Sequence, residues 1–182
     1  MLDWIADFMV ALSNWLKTTS LPEFAIWVSK TPLSALVDTN WWIAELVQTT
    51  HILTLAAVFA SVLMINFKIF RLAGESRTMA QTVARYGPWV WWGLVVLLVT
   101  GLILIIGEPA RELLNPAFWT KMVLVLVAGA IALWFQESVR HHAERWALTS
   151  NGTLAVRAGA VGVILLWIVI MFLGRWIAYA PT

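Results

Sequence analysis

Cysteine is absent from this chain. That excludes disulfides, thiolate metal sites, iron–sulfur clusters and cysteine nucleophiles, and leaves His, Asp, Glu and Met as the side chains able to hold a metal. Charge is scarce as well: Lys, Arg, Asp and Glu make up 12% of the 182 residues and hydrophobic residues 61%, whereas a soluble domain carries about 25% charged residues. With a mean hydropathy of +0.82, water cannot be the main solvent of this protein. The formal net charge of +2 is too small, and the positive residues too dispersed, to argue for a nucleic-acid partner. A secretory signal is also missing. Met1-Leu2-Asp3-Trp4 places an acid where a positive n-region would stand, and no small-residue cleavage site follows, so the first residue is expected to be retained.

What the chain does contain is long apolar stretches. Four of them meet the requirement of about 20 apolar residues for crossing a hydrocarbon core of about 30 Å. They run from about Trp41 to Phe70, Trp89 to Ile106, Phe118 to Gln136 and Leu154 to Tyr179. Gly74, Gly87-Pro88, Pro109, Pro116 and Asn151-Gly152 punctuate the connections. Short connections make consecutive helices antiparallel neighbours, so the expected fold is all-α, an up-and-down four-helix membrane bundle occupying residues 41–182. Residues 1–40 are expected to hold two short helices lying flat at the outer interface, Leu2 to Leu16 and Phe24 to Val37. The first repeats Leu2, Ile5, Met9, Leu12 and Leu16 at helical spacing. Pro22 and Pro32 sit near helix starts, where a missing amide donor costs least.

Basic residues give the orientation. Lys68, Arg71, Arg77 and Arg85 follow the first span, and Arg140, Arg145 and Arg157 follow the third, so these loops are expected in the cytoplasm. Both termini then face the periplasm, with the bacterial inner membrane as the location. Most of the 13 Trp fit interfacial anchoring, with Trp41, Trp42, Trp119 and Trp176 at the outer headgroups and Trp89, Trp91 and Trp92 at the inner ones.

The most informative position is His51. It lies about 15 Å along the helix from Trp41, close to mid-membrane, where an ionisable side chain is costly and rarely accidental. Glu45 and Gln48 precede it on one polar sector, expected to face the bundle interior. Thr100 and Gly101 on the second span and Trp167 on the fourth fall near the same depth, and Gly101 could let a planar group approach closely. Lys121 and Arg175 lie nearer the outer surface, with Glu45 as the acidic partner for either; snorkelling to the outer headgroups accounts for them equally well. His51 can likewise be a neutral imidazole bonded to a neighbouring helix.

At the inner end of the third span Gln136, Glu137, Arg140, His141, His142, Glu144 and Arg145 crowd a helical extension. Glu137 and His141 at i, i+4 could clip a cation, but mixed charges at this density fit a solvated helix face. His141 and His142 lie about 30 Å along their helix from Lys121 at its outer end, too far to share an iron with His51. A haem b here would be five-coordinate on His51, or take its sixth ligand from a non-His group or a second chain. Ala155, Ala158, Gly159 and Gly162 form small-xxx-small pairs that serve bundle packing and self-association alike.

The runs Thr31-Pro32-Leu33-Ser34, Trp41-Trp42-Ile43, Gln48-Thr49-Thr50-His51-Ile52-Leu53, Asn115-Pro116-Ala117-Phe118-Trp119-Thr120-Lys121-Met122 and Gly174-Arg175-Trp176-Ile177-Ala178-Tyr179 resemble an uncharacterised family of small bacterial four-helix membrane proteins. The likeness covers Phe24 to Tyr179. More distantly, the outer-half His and the Trp-x-Lys-like element at Trp119–Lys121 are similar to copper-resistance-D-type proteins and the haem-containing bacterial protoporphyrinogen oxidase. That similarity implies His51 as a haem or copper ligand and Lys121 as an accessory residue. The chain departs from the oxidase pattern at Ala130 and Ala132, where a second His would stand, and lacks a basic Pro-Arg element after the first His.

The leading expectation is a small membrane subunit holding haem b or copper on His51, supported by Gln48, Thr100, Gly101 and Trp167, for electron transfer or metal handling. The alternative is a structural or assembly subunit docking against other membrane subunits or its own copies within the bilayer. A conduit through Glu45, Lys121 and His51 ranks last, since Leu53 to Asn66 supplies only Thr54 and Ser61 as a polar path. No Ser has a His at matching depth: Ser61 lies about 15 Å deeper than His51, so the chain is not expected to be an enzyme.

Overall fold

The computed structural model describes residues 3–72, 77–141 and 154–177. Among these the protein is all-α, in the order α1 (Asp3–Thr18), α2 (Leu21–Ser29), α3 (Pro32–Thr39), α4 (Trp41–Phe70), α5 (Met79–Gly107), α6 (Pro109–Leu113), α7 (Pro116–His141) and α8 (Leu154–Trp176). Helices α4, α5, α7 and α8 are long and apolar enough to cross a membrane. This is a membrane protein, and most of the surface of those four helices is apolar and left for lipid to cover. Gly74, His142, Glu144, Arg145, Asn151-Gly152 and Tyr179 lie outside the described residues.

Local chemistry explains the boundaries. Helix α5 starts at Met79, well before the expected Trp89, and runs through Gly87-Pro88. Its start is a reciprocal capping box: Thr78 N–H donates to Gln81 Oε1 (2.9 Å) and Gln81 N–H to Thr78 Oγ1 (3.2 Å). Three short helices precede the first span where two are expected. Thr31-Pro32 splits the second segment, with Thr31 Oγ1 accepting from Ser34 N–H (3.3 Å) to cap α3. Asn115 opens α7 in the same way, its Oδ1 accepting from Ala117 N–H (2.9 Å) ahead of Pro116. Helix α4 closes in a Schellman motif: Leu72 N–H reaches Phe67 C=O (2.9 Å), Arg71 N–H reaches Lys68 C=O (3.2 Å), and Arg71 takes φ 59°, a left-handed position usually given to glycine.

The chain divides into two compact units. One comprises Met1–His51, Leu98–Val123 and Ile170–Thr182. Its core is Ala25, Leu113, Ala117, Phe118 and Ile177, with Met9, Ile105, Met122 and Leu173 packed against it. Asn115, fully enclosed, donates from Nδ2 to Ile177 C=O (3.5 Å) and so ties α7 to the end of α8. Met9 and Leu16 of the aliphatic stripe of α1 therefore serve the protein core.

The other unit comprises Ile52–Leu97 and Leu124–Val169. Here α4 and α5 come into contact at Gly93, where a Cβ would collide with Val58 Cγ2. Trp91 Nε1–H donates to Gln136 Oε1 (2.9 Å), joining α5 to α7, and Gln136 packs where Gly87 has no side chain. Ser61 and Asn66 are buried and turn onto their own helix, bonding Ala57 C=O (2.9 Å) and Val62 C=O (2.8 Å). Trp167, expected near the histidine, is buried in this second unit.

Candidate functional site

The candidate site belongs to the first unit and is built on one inter-helix bond. His51 projects from α4 and its Nδ1 lies 2.7 Å from Thr100 Oγ1 on α5. Thr100 is buried and the imidazole half-buried. Beside them is Gly101, at which a Cβ would stand 3.7 Å from His51 Cε1, an ordinary contact. The ring's own packing therefore does not demand glycine there. Nε2 of His51 has no hydrogen-bond partner among the described residues.

This leaves a specific chemical opportunity. When Nδ1–H donates to the Thr100 hydroxyl oxygen, Nε2 keeps its lone pair and is fixed in direction, which is how metal-ligating histidines are commonly oriented. The imidazole can then act as a ligand or a proton acceptor. Of the residues expected at the depth of His51, Thr100 and Gly101 lie beside it.

Other residues expected at the site fall elsewhere. Glu45 and Gln48 are exposed, so the sector they share with His51 does not turn inward as a whole. The reason is azimuthal: only the His51 edge of that sector meets α5, through Thr100 and Gly101. Arg175, near the end of α8, is also exposed.

Lys121 is half-buried on α7, its Nζ 5.8 Å from the centroid of the Phe118 ring, and within electrostatic reach of His51. A Cβ at Gly174 would lie 3.7 Å from Lys121 Cδ, so α8 leaves room for the lysine stem. Its acidic neighbour is Glu112 on α6, not the expected Glu45. Burial pushes the Glu112 carboxyl above the usual carboxylate range; Lys121 and Arg111 pull it down, and Glu108 pushes it further up. Arg111 is itself paired with Glu108 at 2.6 Å on the exposed side.

Two tryptophans expected as headgroup markers make hydrogen bonds within the protein. Trp119 Nε1–H donates to Leu113 C=O (2.9 Å) and Trp91 to Gln136, whereas Trp41, Trp42, Trp89, Trp92 and Trp176 are exposed. At the far end of α7, Glu137 Oε1 lies 2.5 Å from His141 Nε2, with both groups exposed and Arg140 beside them. Among the described residues no three His, Cys, Asp or Glu side chains gather as a metal site.

Comparison with known proteins adds little about chemistry. No curated protein and no solved structure matches the chain. The match found is to the uncharacterised family, and nothing supports the more distant likeness to copper-resistance-D-type or protoporphyrinogen-oxidase-type proteins. A family of unknown function, DUF6644, matches residues 24–180, nearly the whole chain, and the protein belongs to it.

Proposed function

We propose that the protein is a small subunit of the bacterial inner membrane that holds haem b on His51 for electron transfer. The observation that carries this reading is the orientation of the imidazole, with Nδ1 anchored on Thr100 at 2.7 Å and Nε2 left without a partner among the described residues.

The donor set favours haem over a bare copper ion. A copper site needs several side chains converging on the metal, and among the described residues no three His, Cys, Asp or Glu side chains gather around one. A haem brings most of the iron's ligands itself and asks few of the protein. His51 would hold the iron, Thr100 would fix the imidazole and its tautomer, and Lys121 would offer a cation to the cofactor's carboxylates. When bound, the group supplies one-electron chemistry. Lys68 in the last turn of α4, Arg71 and Arg77 in the connection that follows and Arg85 early in α5 support a cytoplasmic placement of that end of the two helices, with both termini in the periplasm.

The test is spectroscopic. Protein purified from membranes, or titrated with haemin in detergent, should show a saturable Soret band that is absent in His51→Ala. Metal analysis of the same sample reports copper. A colourless, metal-free protein on which haemin produces no saturable band overturns the reading and leaves a structural or assembly subunit.

A further inference from the structure

Helix α1 carries two apolar faces, and the fold uses one of them. On a helical wheel Met9 and Leu16 fall within about 20° of each other and face the core, where Leu16 is 2% exposed. Trp4, Phe8 and Trp15 cluster within about 40° on a different face and are 68%, 54% and 60% exposed. The next two helices repeat the division. In α2, Ala25 and Val28 are buried while Phe24 and Trp27 stack on each other outside, ring centroids 5.8 Å apart. In α3, Ser34 and Val37 are buried while Leu33 and Leu36 are exposed.

These helices pack beside the ends of the spans. Helix α2 lies against α6. Val37 touches the last residue of α5, a Cβ at Gly107 falling 3.0 Å from Val37 Cγ1. Ala25 shares its core with Ala117 and Phe118 in the first turn of α7 and with Ile177 just past α8. The same unit presents Trp41, Trp42 and Trp176 exposed at span ends, and α4 begins one residue after the turn at Asn40. The outward aromatic face thus belongs to helices packed at the span ends, beside exposed tryptophans at the level where amphipathic rings settle.

We propose that α1–α3 form a lipid-docking collar in which the stripe of Trp4, Phe8 and Trp15, extended by Phe24 and Trp27, is immersed at the headgroup–acyl boundary of a phospholipid leaflet. The exposed sector of α1 that holds Asp7, Asn14 and Lys17, with Val10 among them, meets water and headgroups. Residues 1–40 carry Asp3, Asp7, Glu23 and Asp38 against Lys17 and Lys30, an acidic excess. Attraction to anionic headgroups is therefore not the driving force. Contact rests on aromatic burial, is satisfied by zwitterionic lipid and is insensitive to salt.

The absence of native cysteine makes the test direct. Ala11, exposed and about 20° from Trp4 at the edge of the aromatic face, is replaced as Ala11→Cys; Asn14→Cys reports the polar sector. Each full-length variant is nitroxide-labelled and reconstituted in phosphatidylcholine vesicles, with far-UV circular dichroism confirming its helix content. Collision with oxygen should exceed collision with a water-soluble nickel chelate several-fold at position 11, and the order should reverse at position 14. Neither result should change in high salt. A Phe8→Cys label repeats the reading one turn away. Nickel access at positions 8 and 11 equal to that at 14 would place the face in water and overturn the proposal. Shielding of both positions from both reagents would overturn it in favour of a covering protein or second copy.

Discussion

Thr100→Val is the sharpest probe of the candidate site, because it keeps the shape of the side chain and removes the hydroxyl that lies 2.7 Å from His51 Nδ1. Hydrogen bonds between membrane helices contribute about 0.6 kcal/mol on average and at most about 1.7 kcal/mol. Thr100 is buried, so valine leaves the imidazole N–H against a methyl group, and the cost moves toward the upper end, about 1–2 kcal/mol of apoprotein stability. The effect on a ligand is larger. Loss of an outer partner of a ligating histidine typically lowers affinity about 10–100-fold, or about 1.4–2.8 kcal/mol. Haemin titration in detergent, followed at the Soret band, measures this directly. Thr100→Ser retains the hydroxyl and should bind like the unmodified chain. Haem affinity unchanged in Thr100→Val would refute the idea that this bond presents Nε2 to a ligand, even if His51→Ala abolishes binding.

Gly93→Ala drives a Cβ into Val58 Cγ2 and should destabilise the protein by about 1–3 kcal/mol, with Val58→Ala restoring most of the loss; reversible unfolding in mixed micelles reads both. Arg71 pays for a left-handed φ of 59°, a cost of roughly 1–2 kcal/mol for an L-residue. Arg71→Gly should therefore be stabilising by up to about 1 kcal/mol after glycine's own entropy loss, whereas Arg71→Ala should not be. Glu112 has a folded pKa raised above its unfolded value by burial. Its contribution is fully present below the ordinary carboxylate value and is lost as pH rises through the folded pKa. Melting temperature should fall as pH rises from the ordinary carboxylate value through the raised one, and Glu112→Gln should flatten the fall; an unchanged profile in the variant would assign the dependence to another group.

The four long helices are legible because composition and length decide them, with no need for tertiary detail. Boundaries were harder to read where two local signals compete. Gly87-Pro88 reads as a break, yet α5 continues through it, because a single lost backbone bond is tolerable in the middle of a long apolar helix and the capping box at Thr78 and Gln81 sets the true start. That Thr-x-x-Gln signal was present in the sequence. Depth along a helix also predicts well which residues share a level, and it pairs His51 with Thr100 and Gly101. Azimuth is what spacing cannot supply. Glu45 shares a sector with His51 but is exposed, and the acidic neighbour of Lys121 comes from α6, a five-residue helix with too few turns to show a period.

Polar side chains within the long helices divide by how they satisfy themselves. Thr50, Ser61, Asn66 and Thr120 each donate to the carbonyl four residues back on their own helix. His51 and Trp91 instead reach across to another helix, at Thr100 and Gln136. These two crossings are not equivalent. An indole has a single N–H, and Gln136 Oε1 consumes it, so that contact can fasten α5 to α7 and do nothing more. An imidazole has two ring nitrogens, and one bond to a hydroxyl leaves the second with capacity for a proton or a metal. Packing alone would be served as well by a side chain with one polar group. Among the described residues that second nitrogen has no hydrogen-bond partner, and a ring nitrogen is a metal ligand where a hydroxyl or carboxamide seldom is, so the cofactor proposal rests on His51 and not on the polar clusters nearer the helix ends.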